Sequence, residues 1–109
     1  MKMLFAFIQN DDVKPLVRAL VKQDISVTRI SSSGGFLSGG NSTMMIGVED
    51  DQLQTALEII EKQSQKRTAA VPAPLFPTAQ MGDGNIHPIN VTIGGATVFV
   101  VDVESLHKY

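Results

Sequence analysis

Cysteine is absent from this 109-residue chain, which excludes a disulfide scaffold and any thiolate metal site and suits a reducing compartment, so a cytoplasmic location is expected. Excess charge is lacking too. Nine basic residues against eleven acidic ones leave a formal net charge of −2, with no long-range field to draw in nucleic acid or an acidic membrane. Lys22, Lys62, Lys66 and Arg67 read as scattered or helix-end charges, and nucleic acid is not an expected partner. Long apolar runs are missing: Met3 to Ile8 stops at Gln9-Asn10-Asp11-Asp12, far short of the roughly 20 residues of a membrane-spanning helix and with no small-residue cleavage site behind it. Neither membrane insertion nor a targeting signal is expected.

The groups needed for catalysis or metal binding are equally sparse. His87 and His107 are the only imidazoles, with neither helical spacing nor cysteine support, so no metal site is expected. Asp83 and Asn85 resemble the start of a calcium loop, but no Glu stands at its twelfth position. Asp11, Asp12, Glu49, Asp50 and Asp51 read as helix caps, and no catalytic set emerges from them, so the chain is not expected to be an enzyme and needs no cofactor.

What is present is a 43% hydrophobic chain of a size that forms one domain, 1–109, and buries only part of its unfolded surface, so subunit contacts are expected to add burial. Met3 to Ile8 is apolar throughout, as in a central strand covered on both faces. A helix follows, capped by Asp11 or Asp12, with Pro15 in its first turn and a stripe of Val13, Leu16, Val17, Leu20 and Val21. Strands over about 25–31 and 43–48 should pair as a hairpin around a glycine-rich loop. Asp50 or Asp51 then caps a second helix carrying Leu53, Ala56, Leu57 and Ile60. From 68 to 88 four prolines and two glycines break every period, and so long a loop in a small domain points to function. Ile89–Ile93, Gly94-Gly95 and Ala96–Val101 read as a hairpin on a type I′ turn. This order gives an α+β, ferredoxin-like βαββαβ sandwich with an extra C-terminal hairpin strand.

The run Ser31-Ser32-Ser33-Gly34-Gly35-Phe36-Leu37-Ser38-Gly39-Gly40-Asn41 combines bare backbone, hydroxyls, an amide and an aromatic face, the ingredients of nucleotide recognition. It is no Walker A loop, lacking Gly-Lys-Ser/Thr, and no dinucleotide fingerprint, since it bridges two strands where that motif opens a helix. Taken with Thr28, Gly47-Val48 and Gly94-Gly95-Ala96-Thr97-Val98-Phe99-Val100, the run resembles the PII-like cyclic di-AMP receptors over nearly the whole chain. Shared too are Gln9 at the end of the first strand, the Lys66-Arg67 pair, and His107 followed by the aromatic Tyr109.

The resemblance implies a PII-like homotrimer that binds cyclic di-AMP in clefts between subunits, under a T-loop at about 33–42 and a B-loop at about 68–88, and signals to an unidentified effector protein. It puts Thr28 and Asn41 at the adenine edge, Phe36 and Leu37 against the base, the backbone of Gly35 and Gly47 close to the ligand, and Phe99 on the neighbouring wall. Ser26 stands where the family commonly carries Arg, and the B-loop is altered. These departures keep open a divergent paralogue that binds another nucleotide such as ATP, beside a ligand-independent partner-binding protein.

Overall fold

In the computed structural model, residues 1–30, 40–72 and 88–109 are described. The elements are β1 (Lys2–Gln9), α1 (Val13–Lys22), β2 (Val27–Ile30), β3 (Asn41–Val48), α2 (Leu53–Gln63), β4 (Arg67–Pro72), β5 (Pro88–Ile93) and β6 (Ala96–Asp102), with a 3₁₀ turn before each helix. The order β2-β3-β1-β6 makes one antiparallel sheet, while β4 and β5 form a separate two-stranded ribbon. Two helices and antiparallel sheets make a small mixed α+β domain compatible with the ferredoxin-like expectation.

Successive strand residues point to opposite faces, and this sheet uses that alternation fully. Leu4, Ala6 and Ile8 of β1 and Met44, Ile46 and Val48 of β3 are buried beneath Val13, Leu16 and Leu20 of α1 and Ala56 and Ile60 of α2. The opposite β1 residues, Met3, Phe5 and Phe7, are only half-buried. Thus the apolar run expected to be covered on both faces is covered on one: among the described residues both helices lie on the even-numbered side of β1. The α1 stripe is also narrower than its spacing implies, because Val21 at the far end is 57% exposed.

The acidic caps take unexpected partners. Asp12 caps no helical N–H with its side chain; its carboxylate is buried and receives Arg67 Nη2 at 2.7 Å and Nη1 at 3.5 Å. Before α2, the N-cap of the 3₁₀ turn is Glu49, whose N–H donates to Gln52 Oε1 at 3.1 Å; Asp50 instead accepts from the terminal ammonium at 3.0 Å.

The C-terminal third departs most from the sequence reading. The stretch 68–88, expected as a loop, begins and ends in strand, and residues 89–93 pair with β4 instead of forming a hairpin with 96–101. Gly94 and Gly95 do adopt the positive φ of the expected turn, +84° and +91°. They form a corner, however, which delivers the chain from the ribbon to β6, where Phe99 aligns with Phe5 and Thr97 with Phe7. The corner is tight: a Cβ on Gly94 would lie 2.3 Å from the Gln65 carbonyl oxygen. Its amides are held by neighbours, Gly94 N–H donating to Gln9 Oε1 at 2.8 Å and Gly95 N–H to the Ser64 carbonyl.

Candidate functional site

Cross-strand partners share a face, so the register locates the candidate residues without further assumption. Thr28 aligns with Met45, Met45 with Phe5 and Phe5 with Phe99, making one row across the sheet. Asn41 aligns with Gln9 and Gly47 with Met3. All four described candidates, Thr28, Asn41, Gly47 and Phe99, therefore belong to the face the helices leave open. Gly35, Phe36 and Leu37, most of the proposed T-loop at 33–42, and residues 73–87 lie outside the described residues.

One face is not one point. Asn41 and Gly47 stand near opposite ends of β3, which at the usual strand rise puts them about 20 Å apart. Thr28 and Phe99 lie on the two edge strands, three strand spacings or about 14 Å apart. The face between is apolar: Phe7 and Phe99 pack edge to face with ring centroids 5.9 Å apart, yet Phe99 remains 55% exposed. Gly47 shows no positive φ, and a Cβ there would only touch the methyl carbons of Met1 at 3.5 Å and Met3 at 3.9 Å.

The Asn41 end of this face is concave. A cavity of about 300 Å3 is lined by Asn41, Phe7, Gln9, Thr97, Lys66 and the Gly94–Ala96 backbone. A second, of about 370 Å3, adjoins it on Gln9, Asn10, Asp11, Gly40 and Asn41. The floor is held from several directions. Asn10 N–H donates to the Gly40 carbonyl at 2.8 Å, tying the start of β3 to the end of β1. Arg29 Nη2 donates to Ser42 Oγ at 2.8 Å and to Asn10 Oδ1 at 3.3 Å, and Ser42 and Asn10 bond to each other. The Asp12 hydrogen bond raises the Arg67 pKa above its ordinary value, so Arg67 remains a cation and neutralises the buried carboxylate.

This concavity can take a base edge on the Asn41 amide, an apolar ring face on Phe7 or Phe99, and an anionic group near Lys66. Among the described residues it brings together no nucleophile with a base, and no group of three acidic or imidazole side chains able to hold a metal occurs. No described helix is long and apolar enough to cross a membrane. Sequence reasoning missed Lys66 as a cavity residue, taking it for a helix-end charge; its only signal was a place beside Arg67 just before the proline-rich stretch. Gln9 was noted only as the end of a strand, whereas it lines both cavities and holds the corner.

Comparison with known proteins adds two findings. The family model described as cyclic-di-AMP receptor matches residues 1–109. The crystal structure of a functionally unknown protein from Pediococcus pentosaceus, 34% identical, superposes with a TM-score of 0.76 over 99% of this chain and 96% of that one.

Proposed function

The chain belongs to the cyclic-di-AMP receptor family, and we propose that it is a signal-transduction protein that binds cyclic di-AMP between subunits of a homotrimer. The observation that carries the interface reading is the spread of Thr28, Asn41, Gly47 and Phe99. A single face holding them about 14 to 20 Å apart offers each ligand only part of its contacts, so a neighbouring copy supplies the rest. The exposed apolar surface of that face, with Phe99 and Val101 on β6 beside half-buried Phe5, Phe7 and Met45, suits contact with further copies of the chain.

In this reading Asn41 and Thr28 address the adenine edge, aromatic and apolar groups including Phe36, Leu37 and Phe99 flank its ring, and Gly35 and Gly47 let backbone approach. The family is one of receptors, and the chain acts by binding alone. Ligand held under the T-loop and against the B-loop favours one arrangement of those loops by its difference in affinity for the two, and an effector protein reads the result. The protein works in the cytoplasm as a single domain, 1–109.

Ser26 favours a second reading. It is exposed immediately before β2 and presents a hydroxyl where an arginine would offer a planar cation, so a receptor retuned to another nucleotide such as ATP is the competing assignment. Calorimetric titration with cyclic di-AMP, ATP and cyclic di-GMP decides between them. The expected result is saturable binding of cyclic di-AMP at one ligand per subunit; binding of ATP alone, or of none, overturns the proposal. Sedimentation showing a monomer at the titration concentration removes the interface.

A further inference from the structure

Lys66 stands on the ridge between two cavities: the Asn41 cavity and a larger one of about 480 Å3 that lies against Leu57, Ile60 and Val98. Its stem is packed across Gly95, where a Cβ would lie 3.2 Å from Lys66 Cγ and 3.3 Å from Cε. The neighbouring cations are engaged: Arg67 is bonded to Asp12, and Arg29 to Asn10 and Ser42. Lys66 has no hydrogen bond or ion pair with another described residue. Among the described residues no carboxylate lines the Asn41 cavity; Asp11 lines the adjoining one, and Glu61 lines the larger cavity on the other side of Lys66. Among the described residues lining the Asn41 cavity Lys66 carries the one formal charge; an ammonium there favours an anion, and a lysine is a compact three-donor partner for a phosphate oxygen.

We propose that Lys66 is a ligand-binding residue that donates to a phosphodiester oxygen of the nucleotide whose base edge Asn41 reads. This rests on the cyclic di-AMP reading and adds a cation that the adenine contacts do not supply. At about 300 Å3 the cavity is at the small end of ligand pockets, suited to one half of a cyclic dinucleotide, and one phosphodiester is the anion it would present.

The test titrates cyclic di-AMP calorimetrically into wild type, Lys66→Gln, Lys66→Arg and Lys62→Gln at low and high salt, with thermal melts to establish that each variant is folded. Lys62 is exposed on α2 and lines neither cavity, so its variant makes the same charge change elsewhere. A charge-assisted hydrogen bond at a half-open site leads us to expect Lys66→Gln to weaken binding about five- to twenty-fold with a flatter salt dependence. Lys66→Arg should retain most of the affinity and Lys62→Gln should bind as wild type does. Lys66→Gln binding within about twofold of wild type, or Lys62→Gln matching its loss, overturns the inference and leaves the receptor reading standing. Wild type that does not bind cyclic di-AMP overturns the receptor reading, and this inference with it.

Discussion

Alanine at Gly94 and alanine at Gly95 should differ, although both residues have left-handed φ, +84° and +91°. Placing a Cβ in that region costs about 1–2 kcal/mol. Alanine recovers about 0.4–1 kcal/mol by restricting the unfolded chain. At Gly95 the new methyl meets the Lys66 stem at 3.2 Å, a flexible neighbour able to move aside. Gly95→Ala is therefore expected to cost at most about 1.6 kcal/mol, the backbone penalty less the entropic gain. At Gly94 the methyl meets the Gln65 carbonyl oxygen at 2.3 Å and Arg67 Nη1 at 2.7 Å. That oxygen belongs to backbone between α2 and β4, so the chain itself must shift, adding the roughly 1–3 kcal/mol typical of overpacking. Urea unfolding at one fixed protein concentration measures both. With a slope of about 1–3 kcal/mol per molar, the Gly94→Ala midpoint should fall about 1 M below that of Gly95→Ala. Equal midpoints, or a milder Gly94→Ala, would refute the assignment of the corner to backbone contact.

Three further outcomes can be measured. Asn41→Ala should weaken cyclic di-AMP binding by about 1–3 kcal/mol, the range for a bidentate contact with an adenine edge, while leaving the melting temperature nearly unchanged; unchanged affinity removes Asn41 from the site. Lys2 and Asp102 face each other across β1 and β6, and their hydrogen bond, reinforced by charge, holds the Asp102 carboxyl below its ordinary 3.8 and the Lys2 ammonium above its ordinary 10.5. The pair's contribution is whole between those two values; it is lost as pH falls below 3.8 through the lowered Asp102 value, and as pH rises past 10.5 through the raised Lys2 value. Melts of Asp102→Asn against pH should show both limbs flattened, and curves parallel to wild type would count against the pair. Finally, if ligand selects a loop arrangement, hydrogen exchange at 33–42 and 68–88 should slow on adding cyclic di-AMP, and identical exchange with and without ligand would end the relay proposal.

Local pattern made the first half of the fold readable. The helical spacing of Leu16 and Leu20 and the repeat of Ala56 and Ile60 report burial through residues close in sequence, and the apolar run of β1 marked a strand although only its even-numbered side is buried. What escaped depends on partners far along the chain. Thr68-Ala69-Ala70-Val71 has no strong alternation, and only its register with residues 89–92 makes it a strand. The glycine pair announced its positive φ but not which strand would receive the chain afterwards. Asp12 looked like a cap because the cation that claims it is 55 residues away. The strand expected over 43–48 left Asn41 in the T-loop; only the pairing of Asn41 with Gln9 adds it to β3 and to the face of Gly47, beside a cavity walled by Gln9 and Lys66.

The short connection from β1 to α1 has a mechanical consequence. Gln9 anchors the corner after the ribbon, the Asn10 amide anchors Gly40 at the start of β3, and Asp12 anchors Arg67 at the start of β4. Three of four consecutive residues, Gln9, Asn10 and Asp12, thus tie the corner before β6, the start of β3 and the start of β4 to one short turn. A shift of that turn loads all three attachments together. The start of β3, the start of β4 and the corner can consequently be coupled through the turn, whose stiffness sets how much of a displacement at one of them arrives at the others.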